Sequence, residues 1–543
     1  MRLSPVDVAA GGQTGGAAVA RLRRAVARLR RAVAFAPHGA AWRVRLVALA
    51  TALTMVGAAQ AQTAAVARTL SVQPSASVTQ TFSDNIQLSG VAPMSDSLTR
   101  LTAGVSLRGQ TGMVRGFLDY NLSSLIYARH SNLNAVQNGL NAVLGADLIE
   151  GRARLDVTGN IAQSAISAFG VQPSASGGVQ SNSTEVRSLR IAPSFLGPLG
   201  PELRYAGQLG YAVSSARGTA LGNSTNTNAG MHIEPTSRAQ VSWGLDGSLL
   251  RTDYKAGRTT SDDRLYGSAN LNLPALDLQL QGNGGLEFSD ITAVSRQRYA
   301  TWGAGLTWAP SPRTKLSADY GHRFYGPSHS LVFEHRTALT VWRASSSRSL
   351  STTGDQNTSG SRGTAYDLLY AQFATAVPDP ARRADYVKSF LTTYGIDPLS
   401  TPGFLQGSVT LQDRQELSAA LRGVRSAAVL SLTQTLTQRL SAVSGAADDL
   451  ANAAEVRQRG FSLDLSHRLT PESTVSLLLT QTRGSGTGLG VSQSSQQRLA
   501  SAQYTTRPTQ HSNLTLGLRR GFYDNLPISF DESALFATYG LRF

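Results

Sequence analysis

Apolar and polar residues alternate along most of the chain beyond residue 62, in segments of about ten residues. Successive side chains of a β-strand point to opposite faces, so each segment has one apolar face and one polar face. The clearest case follows the turn at Glu150-Gly151, where Ala153, Leu155, Val157 and Ile161 alternate with polar residues. This pattern recurs from residue 101 to the C-terminus and is typical of membrane-spanning β-barrels.

The connections between these segments sort into two alternating sets. One set is short and contains Pro or Gly, for example at 110–112, 197–201, 235–237, 310–312 and 470–472. The other set is mostly longer and polar, for example at 83–96, 162–184, 214–228, 252–262 and 484–496. Short periplasmic turns opposite longer outer loops characterise outer-membrane barrels. We therefore predict an all-β fold: a transmembrane antiparallel up-and-down β-barrel of about 22 strands, within a range of 18 to 24. The even number depends on dividing 330–350 into two strands at 335–337.

The C-terminal stretch 533–543 predicts how this sheet ends. Leu535, Ala537, Tyr539, Leu541 and Phe543 share one face of a strand that continues to the last residue. A closed barrel needs such a strand because its last strand must pair with its first. The ending Tyr539, Leu541 and Phe543 resembles the signature that barrel-assembly machinery reads in bacterial outer-membrane proteins. The alternative is an edge strand of a soluble β-domain.

The N-terminal region predicts export. Arg43 and Arg45 precede an apolar stretch at 46–56, and Ala59 and Ala61 form an A-x-A site, as in a secretory signal peptide. We expect cleavage after Ala61, which assigns 1–61 to an N-terminal extension with a signal peptide and 62–543 to the barrel. Residues 1–40 are a basic amphipathic helix, a long charged n-region of the signal peptide, or the result of a start codon placed too far upstream.

One segment, 351–407, breaks the alternation. Helical spacing covers 364–374, and Asp379-Pro380 begins a second helix that ends at Tyr394-Gly395. We predict a helical insertion in an outer loop, which is either an ornament on the rim or a lid or constriction over the lumen. Barrels of this size enclose a wide lumen, and only about ten residues separate position 62 from the first strand. The insertion is therefore the best candidate for narrowing the pore.

Charge and motifs exclude several functions. Of the net charge of +16, half lies in residues 1–61, which hold nine arginines and the single acid Asp7. The remaining basic residues are scattered, so we expect no nucleic-acid partner. There is no Cys, and no hydrolase, zinc-protease or P-loop motif is present. We therefore expect no enzyme activity, no cofactor and no metal site.

The polar phase of the predicted strands supplies candidate lumen-lining residues. These charged residues are Asp119, Arg152, Arg154, Asp156, Asp246, Asp277, Lys315, Asp319 and Asp464. They would suit a hydrated conduit of mixed charge, although ordinary solvated filling explains any single one of them as well. In the apolar phase, Trp243, Trp302, Trp308, Tyr205 and Tyr211 are expected in the interfacial girdles.

Several short motifs resemble one family. They are Thr81-Phe82-Ser83-Asp84-Asn85-Ile86, Leu118-Asp119-Tyr120-Asn121-Leu122, Tyr325-Gly326-Pro327-Ser328-His329-Ser330 with Glu334-His335-Arg336, and the insertion around Asp379-Pro380. They are similar to outer-membrane β-barrel proteins associated with PEP-CTERM/exosortase exopolysaccharide systems. The resemblance implies the outer membrane of a Gram-negative bacterium and a link to exopolysaccharide export or surface display. Implied partners are outer-membrane lipid, the barrel-assembly machinery, polysaccharide and export components.

Two functional hypotheses follow. The first is a porin-like conduit linked to exopolysaccharide export. The second is a non-conducting structural or anchoring barrel whose outer loops hold surface polymer or protein. Aromatic residues fall mainly in the lipid phase, which weakens the polymer version of the first hypothesis, and both hypotheses predict the same fold.

Overall fold

The computed structural model of the protein describes residues 69–172, 178, 180–237, 239–352, 364–374, 376–394, 396, 403–440, 448–488, 493–525 and 528–543. The predicted signal peptide, with its cleavage residues Ala59 and Ala61, lies outside the described residues.

Twenty-two strands form one sheet. The first eleven are β1 Thr69–Ser83, β2 Asp96–Gln110, β3 Val114–Tyr127, β4 Ala135–Ile149, β5 Ala153–Ala165, β6 Ser183–Leu199, β7 Leu203–Ala216, β8 Ser224–Pro235, β9 Val241–Tyr254, β10 Thr260–Leu273 and β11 Leu278–Ser289. The others are β12 Gln297–Ser311, β13 Thr314–Arg323, β14 Gly326–Arg336, β15 Thr340–Ser351, β16 Thr410–Arg422, β17 Ser426–Arg439, β18 Glu455–Arg468, β19 Ser473–Thr487, β20 Gln493–Thr509, β21 Ser512–Asn525 and β22 Ile528–Arg542. The described helices are α1 Thr364–Gln372, α2 Pro380–Tyr394 and α3 Asp449–Asn452, with short 3-10 turns at Ser131–Leu133 and Pro274–Leu276.

The sheet closes on itself. Each strand pairs antiparallel with the next, and β22 pairs with β1 from Ser75↔Arg542 to Ser83↔Ala534. The amide of Phe543 donates to the carbonyl of Pro74 at 3.0 Å, so the pairing continues to the last residue. The predicted barrel of 22 strands is confirmed, including the division of 330–350 into two strands.

Connections of different length lie at the two ends of the barrel. At one end, which we call the turn end, short turns join β2 to β3, β4 to β5, and so on, and β1 begins and β22 ends there. The other end, which we call the loop end, carries the longer connections and the insertion between β15 and β16. The loop-end connection between β13 and β14 is tight: only 324–325 join the two strands, and Gly326 follows with φ 95°, a conformation that favours glycine.

The outer wall of the barrel is apolar. Trp243, Trp302 and Trp308 point outward and are 49%, 53% and 42% exposed, with many leucines between them. A continuous exposed apolar surface of this kind indicates contact with lipid. Among the described residues, no helix is long and apolar enough to cross a membrane.

A buried ion pair stabilises the closure between the last strands and the first. Arg519 on β21 donates to Glu532 on β22 at 2.6 Å, and the two side chains are only 4% and 2% exposed. The hydroxyl of Ser83 on β1 also donates to Glu532, at 2.8 Å. Glu532 therefore links three strands on the inner side of the wall.

Candidate functional site in the barrel lumen

Helices α1 and α2 form a hairpin that lies inside the barrel, and we call it the plug hairpin. Its apolar side chains pack with Val341 of β15, Ala420 of β16 and Val429 of β17. These wall residues point inward, because register places Val341 opposite Ala420 and Ala420 opposite Val429 on one face. The buried cluster also includes Ala365, Tyr366, Leu368, Leu369, Phe373, Val387, Phe390, Leu391, Tyr394, Ile396 and Ala427. The predicted helices are thus present, but the rim-ornament alternative is wrong: the hairpin narrows the lumen from within.

The plug hairpin reaches the turn end of the lumen. Arg336, the last residue of β14, donates from Nη1 to the carbonyl of Ala371 at 2.9 Å. The guanidinium of Arg422, the last residue of β16, lies 4.9 Å from the centre of the Phe373 ring. At the end of β18, Arg468 lies 5.8 Å from the ring of Tyr394. A cation above an aromatic face makes an attractive contact. Arginines at the turn ends of β14, β16 and β18 therefore fix the hairpin near the turn end of the lumen.

An ion pair joins α2 to a distant part of the wall. Nζ of Lys388 lies 2.8 Å from Oδ2 of Asp119 on β3. Asp119 also accepts from the hydroxyl of Ser106 and lies 3.9 Å from Arg108. Helix α2 otherwise contacts β18 and β19, and β20, β21, β22, β1 and β2 lie between β19 and β3. The hairpin therefore extends across the lumen from one wall to another.

A second obstruction lies at the loop end. Residues 403–409, which we call the return segment, lead from the insertion to β16. The amide of Leu405 donates to the carbonyl of Ala165 on β5 at 3.1 Å, while Thr410 already pairs with Ser351 of β15. Ten strands, β6 to β15, lie between β5 and β16. Five extended residues span at most about 18 Å, so the β5 and β16 walls approach each other closely where the return segment crosses the mouth.

The loop after β5 crosses the same mouth. Phe169 packs with Leu450, Ala453 and Val456 near the start of β18. Further along, the amide of Gln172 donates to Oε1 of Gln497 on β20 at 3.0 Å. The residues that the structure describes thus place protein across the lumen at two levels.

Two neighbouring aspartates hold these two crossings. Asp448 accepts from the amide of Gly407 at 2.9 Å and from Arg439 at 2.9 Å. Asp449 accepts from the amide of Ala168 at 2.6 Å and from the hydroxyl of Ser167 at 3.1 Å. Burial raises the pKa of Asp449 above its ordinary value, and the neighbouring Asp448 adds to the increase against the opposing hydrogen bonds. The return segment and the β5–β6 loop are therefore fixed by adjacent carboxyls.

Most of the candidate lumen-lining residues lie on strands, and two lie in turns. Asp119, Arg154, Asp156, Asp246, Lys315, Asp319 and Asp464 lie on inward-facing strand positions. Arg152 lies in the turn just before β5 and is exposed. Asp277 is an exposed turn residue in a left-handed conformation, with φ 48°, and does not lie on a strand. The period-two pattern does not apply there, because the 3-10 turn at Pro274–Leu276 interrupts the alternation.

The inward residues differ in what surrounds them. Arg154 and Asp156 form a bidentate pair and remain 43% and 41% exposed. Nδ1 of His232 lies 2.7 Å from Asp246 on the neighbouring strand. Asp464, in contrast, is 2% exposed. The structure does not bring the candidates together into one cluster; they are spread around the wall.

Sequence reasoning missed the residues that hold the obstructions in place. Lys388 is a single lysine in a helix, and nothing local to it indicates a contact with β3. The pair Asp448-Asp449 at the start of a short helical stretch indicates a structured loop, because Asp is a preferred residue at helix N-termini. The partners of Asp449 lie about 280 residues away in sequence, so only the closed barrel reveals them.

The terminal signature and the aromatic residues have clear positions. Tyr539, Leu541 and Phe543 belong to the outward series of β22, with Tyr539 and Phe543 47% and 71% exposed. Trp243, Trp302, Trp308, Tyr205 and Tyr211 also lie in outward series. The apolar phase of the sequence is thus the outer wall.

Comparisons with known proteins add little beyond the fold. No protein-family model matches the chain, and no curated protein is significantly similar to it. The FrpB iron transporter from Neisseria meningitidis (F5-1 variant) is 12% identical with a TM-score of 0.43, over 86% of this chain and 82% of that chain. OccK5 (OpdH) from Pseudomonas aeruginosa is 10% identical with a TM-score of 0.31, over 87% and 98%. The siderophore receptor PirA from Pseudomonas aeruginosa is 11% identical with a TM-score of 0.33, over 87% and 80%. Such scores carry no argument about function, and the barrel is established by its own strand pairing.

Proposed function

We propose that the protein is a non-enzymatic, porin-like passage for polar solutes in the outer membrane of a Gram-negative bacterium, closed at rest by its own insertion. The observation that carries this proposal is the position of the plug hairpin, which lies within a lumen lined by polar side chains. An apolar outer wall with a polar inner wall suits a conduit. The hairpin is covalently part of the chain, so it can leave and re-enter the lumen without being lost.

The contacts of the plug hairpin are unequal on its two sides. Towards β15, β16 and β17 it packs through a buried apolar cluster. Towards β3 the hairpin makes the Lys388–Asp119 ion pair, whose side chains are 45% and 31% exposed. Partly exposed ion pairs contribute little, about 1 kcal/mol or less. A hairpin held by a buried apolar cluster on one side and by a partly exposed ion pair on the other can swing aside while it stays attached to β15–β17.

The same apolar cluster favours the second candidate, a permanently closed barrel that acts as an anchor. In that case the hairpin is a permanent part of the hydrophobic core and does not move, and the outer loops are the functional surface. The resemblance to the PEP-CTERM/exosortase-associated family adds the proposal that exopolysaccharide is the solute or the anchored polymer. A strain that lacks the gene would then accumulate polysaccharide in the periplasm if the barrel exports it, or shed it into the medium if the barrel anchors it.

Planar-bilayer conductance separates passage from anchor. Full-length protein purified from outer membranes is compared with a variant that lacks residues 353–402 and retains the return segment. Heat-dependent mobility on SDS gels checks that both barrels are folded. Rare openings in the intact protein and steady conductance in the variant are expected. Silence from both folded proteins, and from a deletion variant in which Asp448→Ala and Asp449→Ala also release the two loop-end crossings, would refute the passage and favour the anchor.

A further inference from the structure

A basic patch on the outer wall is not explained by the lumen. Arg459 on β18, Arg483 on β19 and Arg498 on β20 are all exposed. They point outward, because they share strand faces with exposed Phe461, Val475 and Tyr504. We call these three residues the arginine patch. They lie towards the loop end, where the apolar band of β18–β20 ends.

Register brings the arginine patch together. Arg459 and Arg483 are direct cross-strand partners, and Arg498 pairs with Gln481, two residues from Arg483. Like charges directly opposite each other destabilise a sheet. Such an arrangement is relieved when an anion binds between the guanidinium groups.

Amide side chains hold two of these arginines in place. Nε of Arg459 donates to Oε1 of Gln434 at 2.8 Å. With its amide oxygen turned towards Arg498, Gln496 accepts from Nε and Nη2 at 2.9 Å. These contacts fix the guanidinium groups and leave other N–H donors available for a ligand.

The carboxylates near the arginine patch have other partners among the described residues. Glu455 lies 3.8 Å from Arg457, and Asp524 accepts from the hydroxyl of Ser529 at 2.9 Å. Elsewhere on the outward face, Arg187, Arg296 and Arg520 each contact a carboxylate, on Glu185, Asp263 and Asp531 respectively. The arginine patch differs from them, because no described carboxylate contacts its three arginines.

An apolar surface lies directly below the patch. Leu432 and Phe461 are outward-facing neighbours, 39% and 37% exposed. One row further from the loop end, Leu463, Leu479 and Ala500 are cross-strand neighbours on β18, β19 and β20. A ligand that fits has acyl chains against this row and an anionic head against the arginines.

We propose that the arginine patch binds the phosphorylated headgroup of a membrane lipid in the leaflet at the loop end. The charge complementarity and the continuity with the apolar band favour a lipid over a soluble anion. Arginine forks match phosphate oxygens geometrically, so several phosphate contacts are available at one site. The site is on the outer wall and does not depend on whether the lumen conducts.

Native mass spectrometry of the full-length protein in detergent tests the site. The probes are diphosphorylated lipid A, dephosphorylated lipid A and inorganic phosphate. The triple variant R459Q/R483Q/R498Q is compared with R187Q/R296Q/R520Q, which removes the same charge from outward arginines that contact carboxylates. Each arginine near a membrane surface strengthens the binding of anionic lipid severalfold, so the triple variant should lose about a hundredfold in affinity for lipid A.

Each outcome supports or overturns the proposal. Binding of diphosphorylated lipid A by wild type and the control variant, with loss in the patch variant, supports it. A rise in thermal stability on adding lipid A should show the same pattern, and it also checks that the variants are folded. Equal binding of dephosphorylated lipid A, or full competition by inorganic phosphate, would overturn the assignment to a phosphorylated lipid. Unchanged affinity in the patch variant would overturn the site itself.

Discussion

The substitution of Phe373 by Ala tests whether the plug hairpin is held by its apolar cluster. Phe373 is completely buried within that cluster. Its ring packs edge-on against Tyr386 and Phe390, with centroids 4.7 and 5.4 Å apart, and beneath the guanidinium of Arg422 at 4.9 Å. The variant keeps every strand of the barrel and removes the central side chain of the plug.

The expected loss of stability of the docked hairpin follows from these contacts. Truncating a buried Phe to Ala costs about 3–5 kcal/mol, and the lost cation–π contact is part of that cost. Most of this loss falls on the docked state, because the barrel closes through backbone pairing in which Phe373 takes no part. A shift of about 4 kcal/mol raises the ratio of displaced to docked hairpin roughly 700-fold, at 1.4 kcal/mol per factor of ten.

Single-channel recording in planar bilayers measures the fraction of time that the pore is open. We expect F373A to be open much more often than wild type, with the same unit conductance as the variant that lacks residues 353–402. Phe461→Ala is the matched control, because Phe461 points outward on β18 and is 37% exposed. An F373A protein that stays as closed as wild type, while the deletion conducts, would refute the assignment of plug stability to this cluster.

Three further predictions follow from the contacts. Lys388→Gln should raise the open fraction only up to about fivefold, because the ion pair of Lys388 with Asp119 is partly exposed. The charge exchange K388D/D119K should restore closure. An increase in open fraction as large as that of F373A would contradict the weak contribution expected of this ion pair. Burial raises the pKa of Asp449, so the closed mouth binds a proton more tightly than an open one. Closure should therefore strengthen as pH falls through the raised pKa towards the ordinary aspartate value, and weaken as pH rises through the raised pKa. Hydrogen exchange of the loop that Asp449 holds measures this, and D449N should remove the pH dependence. Glu532→Ala leaves Arg519 buried without its partner and should cost about 3–5 kcal/mol of barrel stability in denaturant unfolding, whereas a variant that replaces both residues with apolar ones should lose much less.

Most of the barrel could be predicted from sequence, because its information is local. The alternation through Ala153, Leu155 and Val157 and the sorting of connections by length follow directly from strand geometry and barrel topology. The two helices were also predictable, since Asp379-Pro380 is a local start and helical spacing continues to Tyr394.

The candidate site was less predictable, because it is made of contacts between distant segments. Nothing near Lys388 indicates Asp119, 269 residues earlier, and nothing near Ala168 indicates Asp449. The inward face of a strand is also not the same as contact with water: Asp464 faces inward yet is buried. The alternation of apolar and polar residues predicts which face of a strand a residue lies on. Whether that residue is buried depends on which distant segments of the chain pack against that face.

The position of the plug hairpin in the chain has a consequence for the order of assembly. The apolar cluster of the hairpin uses β15, β16 and β17, which flank the insertion, so docking closes only short loops of chain. The contact with β3 and the pairing of β1 with β22 join segments hundreds of residues apart, and long loops form slowly. We therefore expect the hairpin to be docked on its own wall before the barrel closes, so that closure encloses the plug and no folded hairpin needs to be threaded through a finished pore.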